Sequence, residues 1–201
     1  MEYVLAALGG WLAGSIPSGY WVVRFVRRID IRRVGSKSIG ATNVWRVLGW
    51  RYGIPVIVLD VAKGFAPALV ARLLVDDLAG VLAGGAAMAG HWRPLFMGFA
   101  KGGKTVATAG GIFFGLAPWV GLIASAIWIV LFVATRYASV ASMLSALSLP
   151  VLSALFGEPW PVDAFAVVAA AAILLLHRPN IRRLLSGTEN RFHLRRNEAL
   201  G

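Results

Sequence analysis

Cysteine is absent from this sequence, and acidic residues are scarce. The 201 residues include only nine Asp and Glu, and 14% of the chain is charged. Without cysteine the protein has no disulfide, no thiol nucleophile and no thiolate ligand for a metal. The pattern also lacks internal repeats and any alternation of strands with helices. That second absence argues against an α/β nucleotide-binding domain.

Long apolar runs are abundant instead. Hydrophobic residues make up 58% of the chain, and the mean hydropathy is +0.72. Because a membrane-crossing helix needs about 20 apolar residues, we predict an all-α, polytopic integral membrane protein with one membrane-embedded domain over residues 1–201. The first run lacks the basic start of a cleavable signal, so we expect it to be retained. About seven spans are predicted, over residues 3–23, 53–74, 78–96, 104–117, 119–135, 138–156 and 162–177.

The basic residues are distributed unevenly between the two sides of these spans. Eight of the twenty Lys and Arg residues lie between the first two spans, three lie in residues 91–104, and six follow His177. The opposite side carries mostly acidic residues: Glu2, Asp76, Asp77, Glu158 and Asp163. Because cytoplasmic loops are enriched in Lys and Arg, this pattern predicts an external N-terminus and a cytoplasmic C-terminus. Three basic segments then share the cytoplasmic face.

The first basic segment is "GSKSIGATNVWR", residues 35–46. Its glycines permit turns that present consecutive backbone N–H groups to an anion. Thr42 or Asn43 would cap a following helix, whose N-terminus also favours phosphate. An ordinary capped loop accounts for part of this pattern, but not for the density of donors beside a bilayer. The candidate binding residues are Ser36, Ser38, Gly40, Thr42, Asn43 and Arg46.

The second basic segment contains "GFAKGGKT", residues 98–105, which matches the phosphate-binding loop of nucleotide hydrolases letter for letter. Such a loop must follow a strand in an α/β domain, whereas this one lies between two membrane segments. Asp60, the apparent magnesium ligand, precedes the loop and lies inside a span. The segment still suits a phosphate group, because bare amides, lysines and a hydroxyl stand beside a helix start. The predicted phosphate-binding residues are Lys101, Gly102, Gly103, Lys104 and Thr105.

The third basic segment is "HRPNIRRLLSGTE", residues 177–189, at the inner end of the last span. His177 and Asn180 are expected to lie close together near the membrane interface. A histidine there is an acid, a base or only a hydrogen-bond donor, and an interfacial histidine without a chemical task is the simpler interpretation. Asp60 and Lys63 form a separate pair inside a span, where the i, i+3 spacing predicts a structural ion pair facing the bundle.

These segments together favour an enzyme that makes lipids. Phosphate-binding groups at one face of an apolar bundle suit substrates with phosphate in the cytosol and an acyl chain in lipid. A transporter of a phosphorylated solute is the alternative, but it predicts polar residues along the spans or inverted repeats. Neither pattern is evident.

Five blocks in order resemble the bacterial acyl-phosphate:glycerol-3-phosphate acyltransferases: "GSIPSG", "GSKSIGATNVWR", "LDVAKG", "HWRPLFMGFAKGGKTVAT" and "HRPNIRRLLSGTE". The similarity covers most of the chain, although the family usually has Gly-Asn where this sequence has Lys37-Ser38. It implies transfer of a fatty acyl group from acyl phosphate to the 1-hydroxyl of glycerol 3-phosphate. The products are lysophosphatidic acid and phosphate, in the first step of phospholipid synthesis. It also implies the bacterial cytoplasmic membrane, no nucleic acid, and the enzyme that makes acyl phosphate as a candidate partner.

The residues favour direct transfer over an acyl-enzyme. Cysteine is absent, and neither Ser36 nor Ser38 has an evident base beside it. Acyl phosphate carries a good leaving group, so orientation and charge stabilisation suffice. We expect Arg46, Lys104 and the Gly102 and Gly103 amides to hold phosphate, without a metal or cofactor. Ser36 and Asn180 would orient the reacting groups, and His177 would hold or move a proton.

Overall fold

The computed structural model describes residues 1–192, and these fold into ten α-helices without a β-strand. The helices are α1 (Glu2–Gly14), α2 (Ser18–Arg27), α3 (Ala41–Leu48), α4 (Trp50–Leu74), α5 (Asp77–Trp92), α6 (Val106–Leu116), α7 (Pro118–Thr135), α8 (Ala138–Phe156), α9 (Trp160–Leu176) and α10 (Arg178–Leu185). Two 3-10 turns, Ile31–Arg33 and Leu95–Met97, lie in the connecting segments. The predicted all-α class is confirmed for this part of the chain. The end of the tail, whose cytoplasmic location was predicted, lies outside the described residues.

Three helices are long and apolar enough to cross a membrane alone: α4, α7 and α8. The pair α9 and α10 passes the same test together, although it is bent by 55°. The predicted break between the fourth and fifth spans is confirmed, because α6 ends at Leu116 and α7 begins at Pro118. The count of seven spans and their orientation remain predictions.

The first predicted span, residues 3–23, is not a single helix. α1 ends at Gly14 and α2 begins only at Ser18. Pro17 disfavours helical backbone at the residue before it and has no N–H for the helical hydrogen-bond pattern. The break leaves the carbonyl of Ile16 available, and the ammonium of Lys63 in α4 donates to it at 2.9 Å. Hydropathy alone does not detect this interruption.

Small residues allow the helices to pack closely. A Cβ at Gly10 or Gly14 would overlap the backbone of Ala83 or Ala87, which places α1 directly on α5. Small residues at four-residue spacing are typical of helices that pack closely in a membrane. The main apolar core lies among α6, α7, α8 and α9, where Phe113 and Phe165 stack with their ring centres 5.6 Å apart.

Candidate active site

A continuous hydrogen-bonded chain joins the second basic segment to the third. The ammonium of Lys104 donates to Oδ1 of Asn180 at 2.7 Å, and Nδ2 of Asn180 donates to Oε1 of Glu189 at 2.6 Å. Asn180 is buried, in the first turn of the short helix α10. Lys104 lies in the loop before α6, so two segments distant in sequence meet here. Lys104 and Asn180, each predicted separately as a site residue, are therefore in direct contact.

Glu189 organises the far end of this chain. One carboxylate oxygen accepts hydrogen bonds from Asn180 and from the hydroxyl of Ser139 at 2.8 Å, and the other accepts from Nε of Arg183 at 2.7 Å. Burial alone would raise the pKa of Glu189, but these hydrogen bonds outweigh it and hold the pKa below its ordinary value. Glu189 is therefore ionised and fixes the side chains around it.

Cations outnumber this carboxylate. Arg46 from α3, Arg183 and Lys101 all lie near enough to Lys104 to interact with its charge. Burial lowers the pKa of Lys104 to about 8, the attraction of Glu189 opposes that effect, and the neighbouring cations add to it. Burial also lowers the pKa of Arg46, although a guanidinium stays charged in proteins. An excess of positive charge held in a partly buried site is suited to binding an anion.

The side chain of Arg46 is held in position by Phe192. Its guanidinium lies 5.6 Å from the ring centre of Phe192, which also packs edge-on against Trp45 and Phe132. The backbone N–H of Phe192 donates to the carbonyl of Arg136 at 2.8 Å. Because Phe192 is buried among these groups, it fixes the residues that follow the third basic segment against α3. All three basic segments therefore meet at one site.

His177 lies at the bend between α9 and α10 and is buried. Its Nδ1 is 2.8 Å from the carbonyl oxygen of Ile173. A carbonyl only accepts hydrogen bonds, so Nδ1 carries the hydrogen, and Nε2 of a neutral ring is an acceptor. The backbone N–H of Asn180 donates to the carbonyl of His177 at 2.8 Å, which confirms the predicted proximity of these two residues.

The structure corrects the role of Asn43 in the first basic segment. Asn43 was expected to bind substrate or to cap a helix, but α3 begins after Gly40, and the side chain of Asn43 is buried. Its Oδ1 accepts from the N–H of Ser36 at 2.7 Å, and its Nδ2 donates to the carbonyls of Val34 and Ser38. These bonds use the amide to shape the loop that presents Ser36. Asn43 therefore has a structural role.

Among the remaining predicted residues of this segment, Ser38 and Gly40 form hydrogen bonds that shape the loop, whereas Ser36 has a free hydroxyl. The hydroxyl of Ser38 accepts from the N–H of Gly40 at 3.2 Å, and the carbonyl of Gly40 accepts the N–H groups of Asn43 and Val44. Thr42 lies half-buried in the first turn of α3, so it does not cap the helix either. Ser36 is also half-buried, and among residues 1–192 its hydroxyl has no hydrogen-bond partner.

The second segment needs a larger correction, because the Gly102 and Gly103 amides are not available for phosphate. The N–H of Gly102 donates to the carbonyl of Trp92 at 2.9 Å, and that of Gly103 donates to the carbonyl of His91 at 3.0 Å. Both glycines are buried. Side-chain cations, and not a nest of backbone amides, carry the positive charge here.

The flanking residues of this loop have different exposures. Lys101 is exposed, whereas Thr105 is buried, with its hydroxyl donating to the carbonyl of Lys104 at 2.8 Å. Thr105 has a φ of +63°, a left-handed conformation that a β-branched residue adopts at a cost. This turn sets the direction in which Lys104 leaves the loop.

Glu189 lies in the third basic segment but was not predicted to have a role, and neither Ser139 nor Phe192 was predicted as a site residue. One signal was available: Glu189 is the only acidic residue of the basic third segment. Ser139 and Phe192 have no comparable signal, because their roles depend on helix packing. Within the part of the chain that the structure describes, no group of three or more His, Cys, Asp or Glu residues is positioned to hold a metal.

Apolar helices that end in a basic, hydrogen-bonded cluster define an all-helical membrane protein with a site suited to anionic substrates. The family model for glycerol-3-phosphate acyltransferase matches residues 4–187. The chain belongs to the glycerol-3-phosphate acyltransferase family.

Individual relatives agree with this assignment. The chain is 41% identical to the glycerol-3-phosphate acyltransferase of Aquifex aeolicus, with 96% of this chain and all of the relative covered. It is 45% identical to the protein of the same name from Anaeromyxobacter sp., with 92% and 94% covered.

Two crystal structures of PlsY, an integral membrane glycerol 3-phosphate acyltransferase, have the same fold. The glycerol 3-phosphate form is 40% identical with a TM-score of 0.91, and the alignment covers 96% of each chain. The lysophosphatidic acid form is 38% identical with a TM-score of 0.89, covering 96% of this chain and 97% of the other. The likeness therefore extends over nearly the whole protein.

Proposed function

We propose that this protein transfers a fatty acyl group from acyl phosphate to the 1-hydroxyl of glycerol 3-phosphate, releasing lysophosphatidic acid and phosphate. The observation that carries this proposal is the Lys104–Asn180–Glu189 chain with Arg46 beside it. Family membership and the two forms in which PlsY was solved, with glycerol 3-phosphate and with lysophosphatidic acid, supply the substrate and product classes.

Both proposed substrates carry a phosphate group, and the site holds several cations against one carboxylate. Lys104 and Arg46 would contact these groups directly, because both are partly buried and fixed in place. Charge-assisted hydrogen bonds to phosphate are about twice as strong as neutral ones. Lys101 and Arg183 would then supply longer-range attraction. Together these cations would neutralise the phosphate groups of the substrates.

Transfer would be direct. The 1-hydroxyl oxygen of glycerol 3-phosphate attacks the acyl carbonyl carbon, the bond from that carbon to the bridging oxygen breaks, and phosphate leaves with the electron pair. The hydroxyl proton passes to Nε2 of His177 or to a phosphate oxygen. The free hydroxyl of Ser36 would orient a substrate by hydrogen bonding, since no described base is bonded to it.

The membrane setting follows from the apolar helices, and we propose that the site faces the cytoplasm of a bacterial inner membrane. The three basic segments that form the site are the ones that positive residues would retain on the cytoplasmic side. Seven crossings, with the N-terminus outside, are consistent with that arrangement. The soluble substrate would enter from the cytosol, and the acyl chain would lie among lipid tails. The enzyme that makes acyl phosphate is a candidate partner.

Phosphate release by the purified protein in detergent tests this proposal. Wild type should release phosphate only when acyl phosphate and glycerol 3-phosphate are both present, and ATP should not replace either. Lys104→Ala should lower the release by about 10³-fold. Arg51→Ala should preserve it, because Arg51 is exposed and lies over the Trp50 ring. Phosphate release from ATP would show that the fold had been misinterpreted. Uptake of glycerol 3-phosphate into vesicles without acylation would favour the transporter.

A further inference from the structure

A second polar cluster lies beneath the Lys104 loop, inside the helical bundle. Asp60 and Lys63 on α4 form an ion pair at 2.7 Å with both side chains almost fully buried. His91, in the last turn of α5, is also buried and places its Nδ1 3.9 Å from Oδ1 of Asp60. Among the described residues this nitrogen has no hydrogen-bond partner. The ring is therefore held in place by packing, without a hydrogen bond at this nitrogen.

The opposite edge of the His91 ring touches the loop. A Cβ added to Gly103 would overlap Nε2 of His91, with the ring carbons Cε1 and Cδ2 as the next nearest atoms. The N–H of Gly103 donates to the carbonyl of the same histidine, and the N–H of Gly102 donates to the next carbonyl along the chain. The backbone and the ring of His91 therefore form one seat for residues 102 and 103.

Lys104 is the next residue after Gly103. Its ammonium donates a hydrogen bond of 2.7 Å to Asn180, which lies 76 positions later in the chain. Earlier in the loop, Phe99 stacks on Trp11 and its carbonyl accepts from Arg93, but these contacts lie five residues before Lys104. Lys101 and Phe99 are exposed on one side, and Thr105 turns sharply through a positive φ on the other. A shift of Gly103 would change the direction from which the Lys104 side chain approaches Asn180.

We propose that His91 is a positioning residue for the acyl-transfer site. The His91 ring lies in the bundle beside the Asp60–Lys63 pair and fixes the position of Gly103. It thereby directs the side chain of Lys104 towards Asn180. His91 does not touch the substrates; it acts through the loop. This inference rests on the proposed function only for the role of Lys104, because the seat is a feature of the fold.

A double-mutant cycle between His91 and Gly103 tests the seat. Gly103→Ala should lower kcat/KM for glycerol 3-phosphate by about 100-fold, since displacement of a positioning group by about 1 Å has that effect. His91→Ala should lower it by about tenfold and mainly through KM. If the ring is what the methyl group meets, the double variant should lose at least about fivefold less than the product of the two single losses. Gly110→Ala is the matched control, because a Cβ there meets nothing within 4 Å.

The pH dependence separates positioning from a general loss of structure. In wild type, kcat/KM should fall above pH 8, where Lys104 loses its proton. Removal of the His91 ring should move that fall to higher pH, because a displaced Lys104 is better solvated. The charged and titratable groups that face Lys104 are Glu189, Arg183, Lys101, Arg46 and His177. A change in folding alone would lower the amount of active protein and leave this profile unmoved.

Binding of inorganic phosphate, measured by calorimetry, gives a readout that does not need the reaction. The expected result is weaker binding in each single variant and coupling between them of the same sign as in kcat/KM. The role of His91 would be overturned if the losses of the two single variants multiply in the double variant, both in kcat/KM and in phosphate affinity, and if the pH profile of kcat/KM does not change. If the wild type binds phosphate but transfers no acyl group, the proposed function is refuted. The role of His91 is then decided by the coupling between the His91 and Gly103 variants in phosphate binding.

Discussion

The protein contains one buried and one partly buried lysine with acidic groups nearby, Lys63 and Lys104, and their environments differ in net charge. Lys63 lies inside the bundle opposite one carboxylate, Asp60, at 2.7 Å, so its charge is balanced within the protein. Lys104 lies at the end of the bundle, where one carboxylate, Glu189, is shared among several cations. The first cluster needs no ligand, whereas the second carries positive charge that a bound phosphate would balance. A buried cation therefore indicates a binding site when the protein leaves it uncompensated.

The largest expected effect comes from removing the cation of the uncompensated cluster. Lys104→Ala should lower kcat/KM by about 10³-fold, roughly 4 kcal/mol, because a fixed charge at the reacting phosphate is lost. Thermal unfolding should change little, since the variant also removes excess positive charge. Steady-state phosphate release and a melting curve in the same detergent measure both quantities. A variant that melts much earlier than wild type would place Lys104 with Lys63 as a structural residue.

The second prediction concerns the Asp60–Lys63 ion pair, in which the two charges balance each other. Asp60→Ala should lower the free energy of unfolding by about 3 kcal/mol, because it leaves the Lys63 ammonium buried without its partner. Asp60→Ala/Lys63→Met should recover much of that loss, since both charges are then removed. Denaturation in detergent followed by tryptophan fluorescence measures the difference.

The half-exposed pair formed by Arg72 and Asp77, also 2.7 Å apart, is the matched control for this result. Asp77→Ala should cost only about 0.5 kcal/mol, because solvent screens an ion pair near the surface. Equal losses in Asp60→Ala and Asp77→Ala would mean that burial is not what distinguishes the first pair.

Glu189 supplies a smaller effect that sharpens the comparison. Glu189→Gln should lower kcat/KM by about tenfold, because an amide replaces the carboxylate that fixes Asn180 and Arg183 by charge-assisted hydrogen bonds. Glu158→Gln is a control at an acidic residue outside the cluster. Full activity in Glu189→Gln would show that the geometry of Asn180 does not depend on the carboxylate.

The fold class and the meeting of the basic segments were predictable from the sequence, because both depend on patterns along the chain. Apolar runs indicate membrane helices, and the blocks around Lys104 and Asn180 each contain donors suited to phosphate. The break at Pro17 was missed because the apolar run continues through it. The use of the Gly102 amide was also not predictable, since the sequence does not say that the carbonyl of Trp92 lies opposite it. The amide of Asn43 raises the same difficulty: donor-rich residue types do not reveal which donors the fold itself consumes.

The smallest expected effect is a change of about twofold in kcat/KM at pH 8, where Lys104 is half protonated. It depends on the influence of Glu189 on the pKa of Lys104. Burial lowers the pKa of Lys104 to about 8, and the attraction of Glu189 raises it against that trend. The protonated lysine binds phosphate, so kcat/KM should be constant at lower pH, fall to half near pH 8, and continue to fall as the proton is lost. Without the charge of Glu189 the lysine loses its proton more easily. In Glu189→Gln the fall should therefore begin at lower pH, whereas Lys104→Arg should remove it, since a guanidinium stays protonated. Profiles of kcat/KM at saturating acyl phosphate measure this order, and a fall that persists unchanged in Lys104→Arg would assign the titration to another group.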